Sequence, residues 1–235
     1  FTQIIEGFAR GCAANHCALI GGETAQMPGF YQAGEYDVSG TIVGVVDRTR
    51  MLDGQKQVKR GDAIIGIASS GLHTNGYSLA RKILFQQLRL RLTARVAGME
   101  GSLGEELLKV HVTYGPLVQK LLTKFNPPGK PGGVHALAHI TGGGFIDNLP
   151  RVLPKKLDAV IRKGTWDVLP IFQLLRDRGG VDEAELYQVF NMGIGMTVVA
   201  AADRADAILK QIKAAGFAAW QIGEITKGTG ICQVV

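Results

Sequence analysis

The chain has 235 residues, 46% of them hydrophobic, with 32 glycines, 7% aromatics and a net charge of +6. That length is ample for a buried core, and the glycine-rich, aromatic-poor balance fits an α/β protein with many tight turns. No apolar run is long enough to span a membrane, no start resembles a signal peptide, and the cations are scattered without an aromatic platform. Membrane and nucleic-acid partners are therefore not expected, whereas anionic small molecules suit the mild positive charge.

The opening segment FTQIIEGFARGCAANHC places Ile4, Ile5, Phe8 and Cys12 on one helical face, so the chain starts as a helix already in progress. That start reads as a fragment or a processed product. CALIGG and VSGTIVGVV (Val38 to Val46) read as strands, separated by a loop broken by Pro28, Gly29 and Gly34. Asp47 to Asp62 is polar and turn-rich and is the candidate domain boundary. Cys12, Cys17 and Cys232 are too few and too odd in number for a disulfide framework, which points to a reducing, cytoplasmic setting.

Beyond the boundary the pattern alternates. DAIIGIAS reads as a buried strand and NGYSLARKILFQQL as a helix with Leu79, Ile83 and Leu88 inward. SLGEELLKV carries a capping box, Ser102 with Glu105, and YGPLVQKLLTKF follows as another helix. VHALAHI, LDAVIRK, IGMTVVA, WQIGEI and ICQVV read as strands. FIDNLPRVL, VLPIFQLLRDR, DEAELYQVF and DRADAILKQIKAAG read as helices, the last stopped by Gly216.

Four stretches can carry chemistry. In SSGLHTNGYSLARKIL a strand feeds a helix through Gly71, His73, Asn75 and Gly76, a glycine-flanked helix start suited to an anion or, equally, a plain helix cap. In HITGGGFIDN three glycines in a row, Gly142, Gly143 and Gly144, form a backbone nest able to wrap an anion; the pattern is neither a P-loop nor a dinucleotide fingerprint. GGETAQMPG offers Glu23 and Thr24 after a strand end, suited to Mg²⁺ with phosphate oxygens or to capping the loop. FNMGIGM places Asn191 at a helix end, where asparagine is an ordinary terminator. Cys12, His16 and Cys17, and separately His135 and His139, have metal-type side chains, but neither group supplies four ligands at coherent spacing.

Taken together, GGETAQMPGFY, YDVSGTIVGVVDR, SSGLHTNGYSLARKIL, HITGGGFIDNLPRVLP and FNMGIGM resemble, in order and over nearly the whole chain, the phosphoribosylformylglycinamidine cyclo-ligase (aminoimidazole ribonucleotide synthetase) family. The resemblance implies a two-domain α/β (α+β) fold. Residues 1–57 would be the end of an N-terminal ATP-binding and dimerisation domain, and residues 58–235 a complete C-terminal domain. It implies ATP and Mg²⁺ as cofactors, a homodimer, a cytoplasmic setting, and closure of formylglycinamidine ribonucleotide to aminoimidazole ribonucleotide. ATP would activate the formyl oxygen, and the neighbouring nitrogen would attack that carbon and expel phosphate.

Carried onto this chain, His73 and Asn75 would sit at the reacting end, His73 as an acid/base or phosphate ligand. Glu23 and Thr24 would contact nucleotide, with Glu23 on the metal. Gly142, Gly143 and Gly144 would cradle a phosphate and Asn191 would line the cleft. Relatives carry an upstream glycine-rich segment with a lysine and an Asp-x4-Gly-Ala-x-Pro signature that this chain lacks, and many have an acidic residue where Gln26 stands. A related ATP-dependent phosphotransferase, of the thiamine monophosphate kinase or selenophosphate synthetase groups, and a non-catalytic fragment keeping the fold are the competing readings.

Overall fold

The computed structural model describes residues 1–130 and 132–235, and the chain divides into two compact units, Phe1–Met51 and Leu52–Val235. The first unit contains helix α1 (Thr2–Ala14), as the apolar spacing predicts. It also has a 3-10 turn at Arg48–Arg50, where the Asp47 carboxylate accepts the Thr49 N–H at 3.1 Å. The strands expected at 17–22 and 38–46 do not form, and Ile42, Val43 and Val45 are exposed. β-Branched residues favour extended backbone, but a strand is held by a paired neighbour and a covered face. Among the described residues of this unit, neither segment has a strand beside it.

The second unit opens with a helical turn, α2 (Gly54–Gln57), and is built on six strands: β1 (Ala63–Ala68), β2 (Val134–His139), β3 (Leu157–Ile161), β4 (Ile194–Ala200), β5 (Ala219–Lys227) and β6 (Cys232–Val234). They form one sheet in the order β2-β4-β1-β5-β3-β6, antiparallel at every pairing except the parallel β3–β6 edge. The near-continuous burial of β1 and β4 reflects apolar cover on both faces. On one side Ile64 packs with residues of α3 (Tyr77–Arg81), α6 (Gly144–Asn148), α7 (Pro170–Gly179) and α8 (Glu183–Val189). On the other, Ile65 and Ile67 meet α5 (Gly115–Phe125) and α9 (Ala205–Ala214) through Leu117, Leu121, Ile208 and Ile212. The period-two alternation of a strand is what sends successive isoleucines to opposite layers.

Local signals are met where side chains satisfy backbone. Ser102 and Glu105 close the capping box of α4 (Leu103–Leu107), and Gly216 takes a φ of +89° after α9. The helix expected after GLHTNG is α3 followed by a wider π-helical turn, Lys82–Gln87, with Leu88 N–H bonded to Ile83 O at 2.9 Å. Its wider winding accompanies burial of both Ile83 and Leu84.

Strand direction positions the candidate site. Because β4 runs antiparallel to both β1 and β2, the ends of β1 and β2 and the start of β4 lie together at one end of three adjacent strands. The segments attached there are GLHTNG, TGGG and FNMG.

Candidate functional site: three turns at one end of the sheet

The turn after β1 holds His73 and Thr74 at φ of +53° and +63°, followed by Gly76 at +74°. Left-handed backbone costs about 1–2 kcal/mol for a residue with a side chain, so the turn is held by compensating contacts. The His73 carbonyl accepts the Thr74 hydroxyl at 2.6 Å and the Asn75 amide at 2.7 Å, and Leu72 anchors the turn in the core. Gly76 is required twice over: a Cβ there would strain the backbone and lie 2.5 Å from Cε1 of Phe190. The FNMG turn therefore packs directly on the start of α3.

Asparagines tie the three turns to one another. Asn75 Oδ1 accepts the Gly142 N–H at 3.1 Å, which joins GLHTNG to TGGG. Asn191, 2% exposed, accepts the Ser69 hydroxyl at 3.0 Å and the Gly193 N–H at 2.8 Å, and donates to Gly71 O at 2.9 Å. Asn148 closes the TGGG turn from within α6, accepting the Thr141 hydroxyl and donating to the Gly142 and Gly144 carbonyls at 3.1 and 2.8 Å.

The three glycines are not equivalent. The Gly142 amide is engaged by Asn75 and the Gly144 amide donates to Thr141 O at 3.0 Å. The Gly143 amide has no partner among the described residues. A Cβ on Gly144 would collide with the Tyr187 carbonyl, whereas one on Gly142 would meet only Asn75 Oδ1 at 3.6 Å.

His73 is buried, 2% exposed. Its Nε2 accepts the Ser70 N–H at 3.0 Å and the Val112 N–H at 3.3 Å, so the neutral ring carries its proton on Nδ1, which has no partner among the described residues. Its ring stacks on His111 with centroids 3.9 Å apart, and the Nε2 atoms of His111 and His139 lie 2.9 Å apart, one donating to the other. Burial, then the charges of His111 and His139, push the His73 pKa down to about 3. Burial followed by the His139 charge lowers that of His111, and burial lowers that of His139. Tyr114 lies beside His73 and His139, with ring centroids 6.1 and 6.2 Å away, its hydroxyl donating to Ala68 O at 2.6 Å.

One nitrogen from each of the three histidines lies within 4.8 Å of the others, a donor set of the kind metals use. The Nε2 lone pair of His73 is already taken by backbone amides, which leaves His111 and His139 as the accessible pair. His111 escapes sequence reading because it lies 28 residues from His139 with no spacing to connect them. His135, grouped with His139 in the sequence, sits at the other end of β2 and bonds Asp62 instead. Asn148 was visible inside FIDN, but only the folded turn reveals its three partners.

Of the residues singled out in the sequence, His73, Asn75, Gly142, Gly143, Gly144 and Asn191 come together. Glu23 and Thr24 lie in the first unit, in an exposed loop, without a side-chain hydrogen bond among the described residues.

A mixed, mostly antiparallel sheet covered by helices on both faces, with glycine turns gathered at one strand end, defines an α/β protein. The chain belongs to the AIR synthase related protein family: residues 59–234 match its C-terminal domain and residues 1–46 its N-terminal domain. It is 43% identical over 229 residues to phosphoribosylformylglycinamidine cyclo-ligase of Syntrophus aciditrophicus, covering 97% of this chain and 64% of that protein. Against the protein of the same name from Acetivibrio thermocellus it is 46% identical over 234 residues, covering 98% and 66%. The chain thus spans somewhat under two thirds of these relatives' length. In fold it is similar to the crystal structure of thiamine-monophosphate kinase from Stenotrophomonas maltophilia, with a TM-score of 0.53 at 19% identity, covering 80% of this chain and 54% of that one.

Proposed function

We propose that this chain takes part in the ATP-dependent closure of formylglycinamidine ribonucleotide to aminoimidazole ribonucleotide, with release of ADP and phosphate, as a ligase of purine biosynthesis. The observation that carries the reading is the meeting of GLHTNG, TGGG and FNMG at one end of the sheet, joined through Asn75 and Asn191. Relatives 43% and 46% identical to this chain carry the cyclo-ligase name.

ATP, when bound, supplies the phosphoryl group that turns a poor leaving oxygen into a good one. The chain's own part is to position the phosphorylated ligand and offer donors to its charge. The Gly143 amide, unpartnered among the described residues, and the Asn75 carboxamide are the groups best placed to touch a phosphate, with Gly142 and Gly144 shaping the turn. His73, buried and neutral with Nε2 engaged, suits positioning better than proton transfer, since it fixes the turn whose carbonyl holds Asn75. Asn191 supports the same turn from beneath.

Glu23, with no intramolecular partner among the described residues, fits a Mg²⁺ ligand, because this ion takes few carboxylates alongside phosphate oxygens. Thr24 beside it would contact the nucleotide. On the same reading residues 1–57 are the end of an ATP-binding and dimerisation domain, residues 58–235 the C-terminal domain, and the working form is a cytoplasmic homodimer. No helix among the described residues is long and apolar enough to cross a membrane.

The test is ADP release by the protein in its full-length context, with and without formylglycinamidine ribonucleotide. Release should require that substrate, and equal turnover of ATP without it would defeat the assignment.

A further inference from the structure

The opposite end of the sheet, where β1 and β2 start and β4 finishes, holds a cavity of about 790 Å³. That is within the usual range of about 300–1,000 Å³ for small-molecule sites. Its charged lining is lopsided: Lys59, Arg60, Lys124, Lys130 and Arg204 face only two carboxylates, Asp62 and Asp203. Both carboxylates are already occupied. Asp62 accepts the Lys59 N–H at 2.7 Å and the His135 Nδ1–H at 2.6 Å, and Asp203 lies 3.3 Å from the Arg204 guanidinium. Lys59 and Arg60 have no ion pair among the described residues, and the Lys124 ammonium donates to the neutral Gln211. A concave wall whose cations outnumber its carboxylates, Lys59 and Arg60 among them unpaired among the described residues, focuses a positive potential into the space it encloses.

At the back of that space sits a buried pair. His135 is 7% exposed and Asp62 4%. With the Nδ1–H held by the carboxylate, the imidazole presents its Nε2 edge, which lines the cavity and has no protein partner among the described residues. That edge is not shut off from solvent, so it is open to a ligand group that supplies a hydrogen bond. Phe125, on the same wall, adds an apolar surface beneath the Lys124 ammonium, 5.5 Å from the ring centroid.

We propose that this cavity is a binding site for a phosphorylated small molecule, its phosphate held by Lys59, Arg60 and Arg204 and by the Nε2 edge of His135. A phosphate matches the observed set because it carries charge to meet several cations and oxygens that pair an imidazole edge in either role, as donor when protonated or acceptor when not. The site is separate from the three-turn face and stands whether or not the ring-closing assignment holds.

Inorganic pyrophosphate is the probe, titrated into the chain by calorimetry and by amide NMR. Saturable one-site binding is expected, with shifts at Gly61, Gly133 and Ala201. The exposed-charge variants Lys59→Gln and Arg204→Gln should each weaken it at least fivefold, and the pair at least twentyfold. His135→Gln should also weaken it; because that change touches a buried pair, the charge variants, on exposed side chains, decide the matter. The proposal is overturned by absence of saturation at millimolar pyrophosphate, by shifts confined to Gly142 and Gly143, or by unchanged affinity in both charge variants. It is overturned equally if single-stranded DNA displaces pyrophosphate at lower concentration than ADP does, which would mark a general polyanion surface.

Discussion

The Asn75 carboxamide bridges two turns that lie 67 residues apart in the chain: it donates to His73 O and accepts the Gly142 N–H. One side chain thus couples the backbone after β1 to the backbone after β2. Replacing Asn75 by Ala should cost about 1–2 kcal/mol in urea unfolding, the net worth of two hydrogen bonds at a partly exposed site. Loss of ADP-forming activity in the full-length protein should be much larger, a hundredfold or more on the proposed function. A variant that loses stability yet keeps its specific activity would return Asn75 to a purely structural role.

Asn191 should behave differently, because every polar partner it has is inside the protein. Asn191→Ala leaves Ser69, Gly71 and Gly193 with unmet hydrogen-bonding groups in a buried place. The expected loss is about 2–4 kcal/mol of folding stability, read by chemical denaturation. An unchanged midpoint would contradict the bonding described.

The TGGG turn supplies an internal control. At Gly144 the φ of +56° and the Tyr187 carbonyl both oppose a side chain, so Gly144→Ala should destabilise by about 3 kcal/mol or more. Gly142 has an ordinary φ and an open neighbourhood, so Gly142→Ala should fold with near-normal stability. Thermal melts of the two variants side by side test the contrast; equal melting temperatures would refute it.

His73 makes stability depend on pH. Its folded pKa, about 3, lies below its ordinary value of 6.5, so between those limits the unfolded chain binds the extra proton. Its contribution is therefore fully present above pH 6.5 and is lost as pH falls toward 3, with a slope of at most about 1.4 kcal/mol per pH unit. Imidazole NMR should show His73 neutral at pH 5 with its proton on Nδ1. Protonation midway between 6 and 7 would show that the ring is not buried as described.

The sequence was most informative where function or backbone geometry restricts residue choice locally. The capping box at Ser102 and Glu105 and the stop at Gly216 follow from spacing and turn residues, because the groups that satisfy one another are near neighbours in the chain. The six strands of the second unit are marked by apolar runs between turn residues, although their partners lie elsewhere in the chain. The family is also legible in the order of its motifs. The strands expected at 17–22 and 38–46 failed for the complementary reason: β propensity describes what a segment prefers once a neighbour is beside it, and the sequence of the segment does not supply the neighbour.

Residue types and their order determined the glycine turns, the helices and strands around them, and the kinship of the chain. Tertiary structure alone decided which polar groups are still free. It engaged the Gly142 and Gly144 amides within the protein, leaving that of Gly143 without a partner among the described residues, and set His73 as a buried ring stacked on His111. It also separated His135 from His139 and set the former against Asp62. The physical reason is the same in each case. Hydrogen-bond partners and solvent exposure are set by segments remote in the chain, brought together by antiparallel pairing of β4 with β1 and β2, and no local pattern encodes that meeting.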